Sequence, residues 1–427
     1  MNKIINEIWK LQKELFPLFR TYLGKDYNQS LKIINKIFPI KKIFFKSGKK
    51  IGSWTVPKEW IVKDAWIKNG KKKILDYYKN KFCLWTYSIS FKKKIPFKIL
   101  IDHLKFNKNI PNSTLLHTTI YKKNWGFSIP YKEFKKIKKK ANLEINIDTV
   151  YRKSNLIVGE IFLEGKSRKE IIFDSVLSCP SLANNLSAVT IMVYFAKYIK
   201  NIKNINYSYR FLFTPETIGP LAYYYKDKNK TNIVGGLNLN NLAYKDIFHY
   251  TRSRVGRSIV DKAIDYINCK KKYKLNINNY SVVSGRSGNE KAYNSLGLEY
   301  PVGSLTRSLA GSYKEYDTDK DNLEFINKNK FLESYNFLID LFYVIENEKL
   351  VKNNFKGEPF LTGYGLFSDI EDIKNRKLYD YLISFADGKK TLLDFSIEQK
   401  LNLNILSRVA SKLLNKKILK NKPYKII

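Results

Sequence analysis

Three short segments of this chain carry side chains able to do chemistry. They are CPSLANNLSA (Cys179 to Ala188), FTPETIGP (Phe213 to Pro220) and YKEYDTDKDNLEF (Tyr313 to Phe325). In the second, Glu216 follows an apolar run, where a metal ligand or a general base belongs. The same carboxylate at a helix start would also be favoured by the helix dipole, with no catalytic role. In the third, Asp317, Asp319 and Asp321 make an acidic loop. It reads either as a ligand set or as a solvated turn with capping carboxylates. The chain has three histidines, His103, His117 and His249, and none is spaced as a metal pair such as HxxxH or HxD. A zinc site built from imidazoles is therefore not expected. Cys179 stands in a Ser-Cys-Pro turn with no His near it in sequence, so a structural thiol is the expectation. SGRSG (Ser284 to Gly288) is weakly nest-like but is not a Walker motif, and no GxSxG elbow is present.

These segments need elements to hold them. NLIVGEIFLEG and KEIIFDSVLS read as apolar strands, NLSAVTIMVYFAKYI as a helix, YSYRFLFTP and TNIVGGLNLNNL as further strands. Strands alternating with helices imply an α/β domain with a mostly parallel sheet. Ligands in such sheets sit at the carboxyl ends of strands, which places the loops after DSVLS and RFLFT at any site. Residues 1–50 read as two helices and a strand, with Ile4, Ile5, Ile8, Leu11, Leu15 and Leu18 on one helical face. Near Gly52 the texture changes to alternating aromatic and polar residues with an Asn69-Gly70 turn, which is hairpin chemistry. Trp54, Trp60, Trp66, Trp85 and Trp125 are read there as the core of a small β-rich domain. The tail reads as three short helices, the third capped by Asn404, and a short wing. Arg408, Lys412 and Lys416 are its modest candidates for contact with DNA.

The length of 427 residues implies two or three domains. No apolar run is long enough for a membrane span, and the amphipathic start lacks a signal-peptide core, so a cytoplasmic location is the default. Cys83, Cys179 and Cys269 are too scattered for a disulfide framework or a zinc ribbon. The net charge of +40 attracts phosphate, yet it is built mostly of interleaved lysines, with local runs such as Lys135 to Lys140. A nucleic-acid footprint should cluster on one face, so this partner stays open.

The ordered set LFPLFRTYLG, WTVPKEWIVKDAWI, YKKNWGF, GEIFLEG, CPSLANNLSA, YSYRFLFTPETIGP, TRSRVG, YPVGSLTRS, EYDTDKDNLEF and GEPFLTGYGLF resembles a known family. It is that of aminopeptidase-like proteins with a small inserted β domain and a C-terminal winged helix, found with bacterial polysaccharide-biosynthesis gene clusters. The resemblance implies a zinc-aminopeptidase-like α/β fold, with a mixed sheet flanked by helices. It implies an aminopeptidase-like domain at 1–51 and 146–352, an inserted β-rich domain at 52–145 and a winged helix at 353–427. It also implies metal ligands that this chain lacks. Val176 and Cys179 stand where the family has His. The family's Asp within Ala-Asn-Asp-Asn is missing, since Ala183, Asn184 and Asn185 run straight into Leu186. Asn289 replaces an Asp, and Asp317 replaces a His. Glu216 alone keeps its place.

The metal set carried over is therefore Glu216, Asp317, Asn289 and Asn185, with Glu216 also the candidate catalytic residue. Such oxygens suit a loosely held Mg²⁺ or Ca²⁺ better than zinc. The leading expectation is a binding or scaffold protein on an aminopeptidase frame, with a degenerate metal site and a peptide-like or amino-sugar ligand. The alternatives are an active hydrolase with an oxygen-rich metal site and a nucleic-acid-associated winged-helix protein.

Overall fold

A computed structural model describes residues 2–138, 141–225, 232–280, 288–367 and 370–422. Ser284 to Ser287 of the nest-like segment and the last two lysines of the Lys135–Lys140 run lie outside these residues. Two amphipathic helices open the chain, α1 (Asn2–Leu15) and α2 (Lys25–Ile37). They are followed by eight strands of one sheet: β1 (Lys41–Lys46), β2 (Asn155–Leu163), β3 (Glu170–Val176), β4 (Ser208–Thr214), β5 (Ile233–Asn240), β6 (Phe248–Thr251), β7 (Leu275–Asn278) and β8 (Val302–Thr306). Their spatial order is β1-β2-β4-β3-β5-β8-β6-β7. The sheet is mixed rather than mostly parallel. The run β4-β3-β5-β8 is parallel, while β1-β2, β2-β4 and β8-β6 pair antiparallel.

Successive side chains of a strand face opposite sides of a sheet, and both sides of this one are buried. Ile171 and Phe173 of β3 and Phe211 and Phe213 of β4 pack into one core with α1, α3 (Ala183–Lys200) and α6 (Lys328–Glu346). Ile172 and Leu212, between them, face a second core with Ile218 and Ala222 of α4 (Ile218–Tyr224). Burial on both faces explains why these strands read as continuous apolar runs. Helix α3 is apolar nearly all round because it lies between the sheet and α1. Ile5, Ile8, Leu11 and Leu15 are buried, as their spacing predicts.

A separate four-stranded antiparallel sheet runs Lys72–Asp76, Glu59–Asn69, Asn142–Arg152, Phe91–Pro96 in spatial order. Trp60 and Trp125 are buried in its core and Trp85 is buried nearby, whereas Trp54 and Trp66 are partly exposed. Phe91 and His103 each stack on Trp125, with ring centroids 3.9 Å from it in each case. Three lysines of the edge strand, Lys92, Lys93 and Lys94, are exposed, a charge pattern that discourages pairing with another chain.

After α5 (Ile259–Cys269) and α6, the chain ends in α7 (Arg376–Phe385), α8 (Leu392–Glu398) and α9 (Leu403–Asn415). A three-stranded antiparallel sheet of Asp387–Thr391, Leu350–Asn353 and Leu419–Asn421 accompanies them. The cap of α9 is Asn402, not Asn404: its side-chain Oδ1 accepts the amides of Asn404 and Ile405. Arg408 and Lys412 form ion pairs with Glu371 and Asp372, the first of them on the exposed surface, which offsets two of the three cations offered for DNA. Among the described residues, no helix is long and apolar enough to cross a membrane.

Candidate functional site

The parallel strands β4, β3 and β5 end side by side, and the loops leaving them surround a cleft of about 440 Å³. β3 delivers Ser178, Cys179 and Pro180, β4 delivers Glu216 and Thr217, and β5 delivers Asn240 and Asn241. The acidic loop adds Tyr313, Tyr316, Asp317 and Asp321. Glu216, Asp317 and Asn185 are thus brought to one cleft.

Asn289 is placed differently. It is fully buried beneath the cleft, in a network centred on Asp174 of β3. Its Nδ2 donates to Asp174 Oδ2 at 2.6 Å and to Thr214 Oγ1 at 2.7 Å, and its Oδ1 accepts the Thr217 amide at 2.7 Å. Thr214 Oγ1 and Asn238 Nδ2 also donate to Asp174, at 2.8 and 2.9 Å. Burial alone would push the Asp174 carboxyl up, and these donors pull it back to about 6. Gly288 sits against this network at φ +102°, and a Cβ there would come within 2.8 Å of Asn238 Oδ1. Asp174 was not singled out from sequence. Its one signal is a lone carboxylate inside the apolar run IIFDSV.

The Glu216 loop is held from both sides. Ser178 Oγ accepts the Glu216 amide at 3.0 Å, and Asn289 holds Thr217 at φ +60°, where a β-branched residue is strained. Ser181, Asn241 and Asp317 also have positive φ. Such strain persists where surrounding structure over-determines the backbone.

The β-rich insert forms part of the cleft wall through Thr86, Tyr87, Leu116, His117 and Thr118. It is stitched to the acidic loop. Leu116 donates its amide to the Asp317 carbonyl at 2.7 Å, and Asp319 donates its own to the Thr114 carbonyl at 3.0 Å. The Asp319 carboxylate accepts the Thr114 amide and the Asn80 Nδ2, each at 2.9 Å. Asp319 is therefore a clamp, and Asp321 a helix partner that accepts the Asn184 amide at 2.8 Å. His117 enters the cleft wall edge-on to Trp85, and burial and the lysines Lys105 and Lys122 push its pKa down.

Burial pushes the Asp317 carboxyl up to about 7, and the neighbouring Glu216 adds to this. Glu216 is likewise raised by burial, with Lys291 pulling the other way. The Cys179 thiol is raised by burial and by Glu216 and Asp317, which favours its neutral form over the thiolate. These donors do not fit a zinc ion. Among the described residues, no three His, Cys, Asp or Glu side chains are placed to hold a metal. Asn289 has spent its oxygen on a backbone amide.

A mixed eight-stranded sheet with its cleft at the strand ends defines an aminopeptidase-like α/β protein. A zinc aminopeptidase from Bacillus subtilis has this fold, with a TM-score of 0.58 over 80% of this chain and 93% of that one, at 11% identity. A peptidase M28 precursor from Shewanella amazonensis superimposes with a TM-score of 0.56 over 83% and 94%, also at 11% identity. The chain belongs to the family whose model, described as "Domain of unknown function (DUF4910)", matches residues 9–348. It is 31% identical, over 97% of this chain and 96% of the other, to a Clostridium acetobutylicum protein. That protein is named "Putative polysaccharide biosynthesis protein with aminopeptidase-like domain". A crystal structure of a "putative peptidase" from C. acetobutylicum matches with a TM-score of 0.86 and 30% identity, covering 98% of this chain and 97% of that one.

Proposed function

We propose that this protein binds an amine-bearing ligand, peptide-like or an amino sugar, in its cleft and does not hydrolyse it with a metal. It then serves as a binding or scaffold protein in polysaccharide biosynthesis, the process in the name of the Clostridium relative. The observation that carries the reading is the Glu216–Asp317 pair. Two carboxylates in a half-buried cleft repel one another, and an ammonium group placed between them relieves that repulsion. Tyr22, Tyr87, Tyr313 and Tyr316 line the same cleft and offer faces for an apolar or sugar body. Cys179 in place of an imidazole removes the donor that a zinc-bound water would need.

The test is metal analysis of protein purified without added metal and without a metal-binding tag, beside an aminopeptidase assay. Substoichiometric zinc and no cleavage are expected. Stoichiometric zinc with cleavage of aminoacyl substrates would overturn the reading.

A second reading is a hydrolase with an oxygen-rich site. It is favoured by one observation: Glu216, Asp317 and Asn185 line one cleft, and Asn185 Oδ1 is buried without a hydrogen-bond partner among the described residues. Mg²⁺-dependent activity lost in Asn185→Ala would support it. For the chain as a whole, we propose the expected inserted domain at 52–145 and winged-helix docking module at 353–427, with the strands Asn142–Arg152 and Leu350–Asn353 running across their bounds. In the docking module, the ion pairs of Arg408 and Lys412 favour a protein partner over DNA.

A further inference from the structure

The cleft contains a cation that the amine reading does not use. Arg20 follows α1 and lines the cleft with Thr21 and Tyr22. It is fully buried. Its Nε donates to the Leu177 carbonyl at 3.0 Å and its Nη1 to the Leu15 carbonyl at 2.6 Å. Its Nη2 has no hydrogen-bond partner among the described residues. Both partners are neutral, so among the described residues no carboxylate is bonded to this buried guanidinium. A buried charge in that state is costly unless something pairs with it.

Arg20 shares the cleft lining with Cys179, Glu216 and Asp317. Burial lowers the Arg20 pKa to about 10, offset by Cys179, Asp26 and Tyr27. Cys179 feels both poles: Glu216 and Asp317 raise its pKa and Arg20 lowers it. The lining of one cleft therefore combines a buried cation with two carboxylates. Asn185 Oδ1 adds a buried acceptor still in want of a donor.

We propose that Arg20 is the anion-binding half of this cleft, and that its ligand is a compact zwitterion carrying a carboxylate for Arg20 Nη2 and an ammonium for Glu216 and Asp317. A planar guanidinium is suited to a carboxylate, which it can grip with directed N–H bonds. The ligand class is an amino acid or short peptide with a free carboxyl end, not the amino end of a long chain. The ammonium half rests on the function proposed above; the carboxylate half rests on Arg20.

The probes are phenylalanine and the dipeptide Phe-Gly, their C-terminal amides and their N-acetyl forms, titrated calorimetrically. The free acids are expected to bind, with the amides at least tenfold weaker. In Arg20→Met, acid and amide should bind alike. Because Arg20 is buried and that variant could fail to fold, the guanidinium nitrogen resonances of the wild-type protein give a second measurement. The Arg20 resonance should shift with the acid and stay with the amide. Equal binding of acid and amide by the wild type, or an unmoved Arg20 resonance, overturns the proposal. So does a preference that vanishes in Lys291→Gln and survives in Arg20→Met. If N-acetyl acids bind as well as free amines, the ammonium half fails and the function proposed above fails with it, while Arg20 stands. If no probe binds, both fail.

Discussion

Asn289 joins the buried carboxylate of Asp174 to the backbone of the Glu216 loop. One end of its amide donates to Asp174 at 2.6 Å, and the other accepts the Thr217 N–H at 2.7 Å. An aspartate there would face Asp174 with a second negative charge. The neutral amide instead serves as a latch, and it does so by using the oxygen that a metal would need.

Asn289→Ala should therefore loosen the loop as well as the core. It leaves Asp174 short of one donor and Thr217 without its acceptor, at a cost of about 2–4 kcal/mol. Urea unfolding measures the loss. An unchanged midpoint would mean that the latch carries no load.

Asp319 ties the β-rich insert to the acidic loop through Thr114 and Asn80. Asp319→Ala should cost roughly 1–3 kcal/mol. It should also expose the segment around Thr114 to limited proteolysis before the rest of the chain. Cleavage that begins elsewhere at the wild-type rate would contradict the clamp.

Glu216 contributes to the raised pKa of Asp317, after burial. In Glu216→Gln the Asp317 pKa should fall from about 7, but only part of the way to the ordinary carboxylate range, because burial remains. Carboxyl chemical shifts followed against pH report it. A pKa that stays put would separate the two groups.

Glu348 is buried at the junction with α8, and its Oε2 accepts the Leu393 amide at 2.9 Å. Burial raises its pKa to about 8. The proton is held more tightly in the folded protein than in the unfolded one. The stability this gives is complete below the ordinary carboxylate range near 4 and is lost as pH rises through about 8. Thermal stability should thus decline from pH 5 to pH 9. Glu348→Gln, which keeps the neutral shape, should recover roughly 1–3 kcal/mol at pH 9 and little at pH 5. Equal effects at both pH values would rule out ionisation as the cause.

Much of the frame is legible in the sequence because burial on both faces of a sheet writes long apolar runs. IIFDSV, FLFT and IVGGLNLN are such runs, and the loops after the first two do reach the cleft. The roles of polar residues are less legible, since they depend on partners distant in the chain. Asn289 is 115 residues from Asp174, and Asp319 is 239 from Asn80. Arg20 and Asp174 each appear as one charge in apolar surroundings, with nothing local to say what they meet. The antiparallel edge β1-β2 is hidden for another reason: the insert separates its two strands, so no hairpin turn announces the pairing.

The left-handed residues around the cleft, Ser181, Thr217, Asn241 and Asp317, bear on how a guest is received. Their backbone is pinned by Asn289, Leu116 and the strand ends before any guest arrives. The conformational entropy of those loops is thus spent during folding, not at the moment of contact. A ligand of the proposed kind would enter a lock already cut, and the rigidity that would grip one shape would also turn away those that need the walls to yield.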